Sequence, residues 1–138
     1  MYSTHEQIGK VLGEPLMSQG DVLRVVELRL RPSAIQELIK VGLNRTEIDE
    51  IVISSRTLQH RRSRHERLTI EESDRVVRAL RAISQADTVY GSREQALAWL
   101  RRPNLRLEGR TPLSLLTTDT GSRIVEEMLI QIDEGMFV

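Results

Sequence analysis

A chain of 138 residues and 15.8 kDa is sized for one compact domain or two small ones sharing a core. It has no Cys and three His (His5, His60 and His65), which excludes disulfide scaffolds, thiolate zinc sites and Cys nucleophiles and leaves little for a metal centre. Twenty basic residues, eighteen of them Arg, balance twenty acidic ones, so net charge selects no partner, and 3% aromatics imply a core of Leu, Ile and Val.

No apolar run approaches the roughly 20 residues of a membrane span, and no signal-peptide pattern opens the chain. The expectation is a cytoplasmic protein with no membrane role. The stretch from Val22 to Leu30 is ambiguous, because Val26-Glu-Leu28-Arg-Leu30 alternates like a strand, but no partner strand is evident elsewhere, so the segment reads as helical. Ile35, Leu38 and Ile39 share one face of a helix over 33–41, closed by Gly42. Asn44 with Glu47 three residues on fits a capping box for a short helix over 45–52 that turns Ile48 and Ile51 inward. After a tight connection, Ser54 caps a second helix over 55–64 whose apolar anchor is Leu58.

Thr69 with Glu72 opens a long helix over 70–90, with Val76, Val77, Leu80, Ile83 and Tyr90 at helical spacing and Gly91 at its end. Ser92 with Gln95 starts the next, where Ala96, Leu97 and Leu100 recur before Pro103 stops it. Thr111-Pro112 places Pro at a first helical position. The last helix, over 119–134, carries the stripe Ile124, Val125, Met128, Leu129 and Ile132, a core face or a dimer interface, and ends at Gly135. The fold class is all-α, with a helix-turn-helix DNA-binding region over 1–67 and a small helical domain over 68–138.

The two short helices over 45–64 have the arrangement that packs one helix across another and frees the second for a major groove. Ser54, Ser55, Arg56, Thr57 and Gln59 lie at the N-terminal end of that second helix, where side chains reach base edges. Arg bonds bidentately to guanine and Gln to adenine, while hydroxyls serve phosphates or bases. Arg61, Arg62 and Arg64 are the expected phosphate contacts, with His60 beside them. Charge agrees: residues 54–67 carry five Arg against Glu66, net +4, while the flanking stretches 1–53 and 69–138 are each net −2. The usual turn glycine of this motif falls at Val52, where a β-branched residue resists positive φ, so the turn must differ in detail or the motif has degenerated.

His60 and His65, five residues apart, do not share a helical face as an i, i+4 metal pair would. No nucleophile with its base and no phosphate-cradling glycine loop is legible, so no enzyme activity and no cofactor are expected.

From Leu68 onward the chain carries a specific series. It runs Leu-Thr-Ile-Glu-Glu-Ser-Asp-Arg (68–75), Val-Tyr-Gly (89–91), Ala-Leu-Ala-Trp-Leu-Arg-Arg-Pro-Asn (96–104), Leu-Glu-Gly-Arg-Thr-Pro-Leu (107–113), Leu-Leu-Thr-Thr (115–118) and Gly-Met-Phe-Val (135–138). This series resembles the Xre antitoxins of the RES–Xre toxin–antitoxin systems, related to the MbcA and ParS antitoxins, over about residues 22–138. The resemblance implies an antitoxin that binds a RES-domain toxin consuming NAD⁺ and represses its own operon at promoter DNA. It further implies that the C-terminal domain holds the toxin and that the extreme C-terminus covers its cleft, here Gly135, Met136, Phe137 and Val138 with Asp133 and Glu134 leading in. An acidic helix end with an apolar tail and a free carboxylate suits a basic pocket built for a dinucleotide. The alternative for the tail is that Phe137 folds back on its own core. The alternative for the whole chain is a dimeric repressor with no toxin partner. A homodimer is expected in either case, because two helix-turn-helix units read two half-sites.

Overall fold

The computed structural model describes residues 4–136, and among these every regular element is helical. Eight α-helices follow in order: α1 (Thr4–Leu12), α2 (Gln19–Leu28), α3 (Ala34–Lys40), α4 (Arg45–Ile51), α5 (Ser55–Ser63), α6 (Ile70–Tyr90), α7 (Arg93–Arg101) and α8 (Asp119–Asp133). Two 3-10 turns, Leu105–Leu107 and Leu113–Thr117, lie between α7 and α8. The all-α expectation holds, including the ambiguous stretch: α2 runs to Leu28, and Leu30 is already outside it.

Local chemistry accounts for most of the ends. Asn44 and Glu47 form both bonds of a capping box, and Thr69 and Glu72 do the same, with Thr69 N–H donating to Glu72 Oε1 (2.8 Å) and Glu72 N–H to Thr69 Oγ1 (3.0 Å). Ser92 Oγ accepts from Gln95 N–H at 3.1 Å. The three helix-ending glycines, Gly42, Gly91 and Gly135, take φ of 119°, 77° and 74°. Pro112, expected at a first helical position, is instead the N-cap residue of a 3-10 turn.

The chain divides into two compact units, one through Arg81 and the other from Ala82. This division differs from the 67/68 boundary expected from the end of the basic run, and the reason lies in α6. Its N-terminal half belongs to the first core, where Leu68, Val76, Val77 and Leu80 are buried and Ser73 Oγ accepts from Leu30 N–H at 2.9 Å. Leu68 N–H donates to Leu30 C=O at 2.8 Å.

In the first unit, α1 packs on α3 and α3 on α4 around Ile8, Val22, Val26, Ile35, Leu38, Leu43, Ile48 and Ile51. The segment after α5 is clasped to the end of α2. Arg29 Nε donates to Leu68 C=O (2.7 Å), Arg29 Nη2 to Arg67 C=O (3.1 Å), and Arg67 Nη1 returns a bond to Arg29 C=O (2.8 Å). These bonds hold Arg29 at φ 67°, a backbone region that a side chain with a Cβ disfavours.

In the second unit α8 packs against the 3-10 turn Leu113–Thr117, and Gln85 Nε2 of α6 donates to the Glu126 carbonyl of α8 at 3.1 Å. Its core is Ile83, Leu97, Trp99, Leu100, Leu113, Leu116, Val125, Met128 and Leu129. Of the predicted α8 stripe, Ile124 is 42% exposed and lies outside the buried face, whereas Val125, Met128 and Leu129 are buried. Tyr90 stacks on Trp99 with ring centroids 6.1 Å apart.

Candidate functional site

The short helix α5 is almost wholly polar and owes its place to one buried side chain, Leu58, and to bonds at both ends. At its N-terminus Ser54 Oγ accepts from Thr57 N–H (3.1 Å) and donates to Thr57 Oγ1 (2.8 Å). A second cap comes from the preceding helix: Asp49 Oδ1, on α4, accepts from Ser55 N–H at 2.8 Å. That bond ties α4 to α5 across the turn, and nothing in the spacing of Asp49 announces it. The turn itself is built without positive φ. Val52 sits at φ −121° with its side chain buried, and the N–H groups of Val52 and Ile53 both donate to Ile48 C=O, at 2.9 and 3.0 Å. A β-branched residue is therefore compatible with the helix-turn-helix, because this turn does not use the conformation that glycine serves elsewhere.

The exposed surface of α5 is formed by Ser55, Arg56, Gln59, His60 and Arg62, with Arg64 at the C-cap and Thr57 half-buried at the edge. Arg56, Gln59, His60 and Ser63 fall at i, i+3, i+4 and i+7 on one stripe. The side chains of Arg56, Gln59, His60, Arg62 and Arg64 make no hydrogen bond or ion pair to any described residue. Such unengaged donors on an exposed helix face can bond base edges and phosphates.

Arg61 is different. Its Nε and Nη2 donate to Glu72 Oε1 and Oε2 at 3.2 and 3.1 Å, and its Nη1 lies 3.8 Å from Glu66 Oε2. It is therefore engaged in a bidentate pair inside the first unit, unlike Arg56, Arg62 and Arg64. Burial pushes the Glu72 carboxyl up, but the bonds from Arg61 and the Thr69 amide, with the Arg61 charge, bring it below its ordinary value. The same bond to Glu72 holds the Arg61 guanidinium above its ordinary value despite its partial burial. His60 and His65 are exposed, and the described residues contain no cluster of His, Asp and Glu able to hold a metal.

In the second unit α8 ends in a Schellman arrangement: Gly135 N–H donates to Ile132 C=O (3.0 Å) and Met136 N–H to Gln131 C=O (2.9 Å). Asp133, Glu134, Gly135 and Met136 are all exposed. Phe137 and Val138, the remaining two residues of the predicted blocking element, lie outside the described residues. The last turn of α8 has no basic residue, so two carboxylates sit at the negative end of the helix dipole without local compensation. Near this end is an open hollow walled by Tyr90, Trp99, Arg102, Leu105, Met128 and Ile132. Leu105, at its rim, is 95% exposed. The sequence reading missed it, since a single Leu in a 3-10 turn has no periodicity to betray its face. Trp99 is buried, as expected, and Arg110 is exposed.

A sequence model of the antitoxin Xre-like helix-turn-helix domain matches residues 21–81, and one of the antitoxin Xre/MbcA/ParS C-terminal toxin-binding domain matches residues 85–135. The chain belongs to the Xre/MbcA/ParS antitoxin family. It is a family of antitoxins that join a helix-turn-helix domain to a toxin-binding domain, not of enzymes. Among curated relatives, an antitoxin Xre of Pseudomonas putida is 44% identical over 84 residues, covering 61% of this chain and 53% of that one. An antitoxin Xre of Yersinia enterocolitica is 37% identical over 86 residues, 62% of this chain and 58% of its own length. A Prs ADP-ribosylating antitoxin of a Sphingobium species is 26% identical over 98 residues, 64% and 62% of the two chains. The chain thus spans little more than half the length of these relatives. The family's two domains meet close to the division between the compact units, within α6. No helix among the described residues is long and apolar enough to cross a membrane.

Proposed function

We propose that this Xre-family antitoxin neutralises a RES-type, NAD⁺-consuming toxin by laying its C-terminal segment over the toxin's cleft, and represses its own operon through α5. The observation that carries the reading is the presence in one chain of two outward-facing chemistries on separate units. One is the set of unengaged cationic and amide donors on α5, and the other is the uncompensated acidic end of α8. The first suits DNA, whose phosphates attract the arginines and whose base edges accept bidentate donors.

The second suits a cationic cleft that ordinarily takes a phosphate-bearing substrate. Asp133 and Glu134 raise the negative potential at the α8 terminus, and a basic pocket would relieve that repulsion on binding. Met136, exposed beside them, supplies apolar area that a partner can desolvate. A relative named for ADP-ribosylation of Prs supports the choice of substrate, since ADP-ribosyl transfer consumes NAD⁺. We also propose that two copies pair, so that two α5 helices reach adjacent half-sites; Leu23 and Leu28 of α2, 59% and 67% exposed, offer apolar surface for it.

The test separates the two units. Deletion of 135–138 restores growth arrest by the cognate toxin and its NAD⁺ consumption while leaving promoter affinity nearly unchanged. Arg56→Ala with Gln59→Ala does the reverse: promoter binding falls, each lost base contact costing roughly 1–3 kcal/mol, and toxin inhibition survives. Full neutralisation by the truncated chain refutes the blocking role, and wild-type promoter occupancy by the double variant removes α5 from the reading.

A further inference from the structure

The DNA-reading proposal leaves Arg61 and Glu72 without a part. A helix of nine residues with one buried apolar side chain can roll about that anchor, and rolling carries Arg56 and Gln59 away from base edges. Arg61 stands three residues beyond Leu58 and faces the start of α6 rather than solvent. Glu72 meets it there with both oxygens. Its Oε1 accepts from Arg61 Nε (3.2 Å) and from Thr69 N–H (2.8 Å), while Oε2 accepts from Arg61 Nη2 (3.1 Å). Glu72 is 7% exposed, so this carboxylate is held by its partners and not by water. The fork of a guanidinium on a carboxylate fixes orientation as well as distance, and the carboxylate is itself fixed by the α6 cap. Backbone bonding adds to the brace, since Glu66 N–H donates to Arg61 C=O at 2.9 Å.

We infer that Arg61 and Glu72 are positioning residues that lock the roll of α5 against α6 and thereby set how selectively the helix reads DNA, with Arg61 making no phosphate contact of its own. The inference rests on α5 being the reading helix. It separates Arg61 from its neighbours Arg62 and Arg64, which carry the same charge but have no side-chain partner among the described residues.

The experiment compares the wild-type chain with Arg61→Ala and Glu72→Gln. Binding is measured to a duplex carrying the chain's own promoter and to a scrambled duplex of the same composition, over a range of salt. Glu72→Gln keeps an oxygen for the Thr69 amide, so the α6 cap and the fold persist, as circular dichroism checks. The expected result is a fall of about tenfold or more in promoter affinity for both single variants, since base contacts are lost together. Affinity for the scrambled duplex is unchanged in Arg61→Ala. In Glu72→Gln it is unchanged or higher, with a salt slope up to about one unit steeper, because the released guanidinium becomes available to a phosphate.

A plain phosphate contact behaves otherwise. If Arg61→Ala weakens binding to both duplexes equally and makes the salt slope shallower by about one unit, or if both single variants keep wild-type selectivity, the positioning role is overturned. If the wild type itself does not distinguish the two duplexes, the failure lies with the DNA-reading proposal, and this inference falls with it.

Discussion

Truncating Leu58 to Ala probes how narrowly α5 is held. Leu58 is 5% exposed and is the buried residue of its helix, so almost the whole side chain leaves the core. Three carbons are lost, worth about 0.8 kcal/mol each or roughly 2.4 kcal/mol of transfer free energy. A cavity term adds to this, which places the cost at about 3 kcal/mol, within the roughly 2–5 kcal/mol range of buried Leu→Ala changes. The Ser54 and Asp49 caps and the Arg61–Glu72 pair survive, but they join α5 at its ends and side and do not replace the lost anchor. Local opening of α5 then becomes easier by the same amount, and a factor of ten corresponds to about 1.4 kcal/mol. Native-state hydrogen exchange on the amides of residues 58–63 should therefore show protection lower by about a hundredfold. Promoter affinity should fall as well, since an ordered α5 must be recovered on binding. A loss of protection below about fivefold would refute the single-anchor account.

Two further outcomes follow from the packing and the charges. In the first unit the Glu72 and Asp21 carboxyls both lie below their ordinary values. Glu72 is drawn down by its bonds to Arg61 and Thr69 against the opposing effect of burial, and Asp21 chiefly by the Met17 amide. The unfolded chain therefore binds protons that the folded unit resists, and stability present above the usual carboxylate range is lost as pH falls through it. Denaturant midpoints measured at falling pH should show this acid limb, and it should shrink in Glu72→Gln; an unchanged limb would show that Glu72 is not a principal contributor. In the second unit, Gly121→Ala sets a Cβ against the Leu115 carbonyl oxygen, with Thr118 Oγ1 at 3.0 Å, and backbone cannot swing aside as a side-chain tip would. Crowding of this kind costs about 1–3 kcal/mol, more than the roughly 1 kcal/mol that Ala gains over Gly in a helix. The urea midpoint of the second unit should drop, and a rise would show that α8 shifts freely on the 3-10 turn.

Much of the fold was legible from local signals. Asn44 with Glu47, Thr69 with Glu72, Ser92, and the glycines at 42, 91 and 135 mark helix ends because their bonds close within a few residues. The stripes of α3, α6 and α7 mark faces because helical periodicity is a property of spacing alone. The helix α1 went unread; its buried residues are Ile8 and Gly9, too few to make a stripe.

Spacing determines which residues share a face, and nothing more. Leu58 as an inward anchor and the outward run of Arg56, Gln59 and His60 were settled by the chain's own periodicity, since one implies the other. What a given face meets depends on segments distant in sequence, and only tertiary structure decides it. Arg61 looks like its neighbours until Glu72 is found beneath it, Asp49 looks like a solvated acid until it caps α5, and Ile124 looks like core until α8 is seated with that side outward. The division of α6 between two cores has the same origin. A long amphipathic helix displays one continuous stripe, and where one hydrophobic core ends and the next begins along it is fixed by the elements that come to cover it.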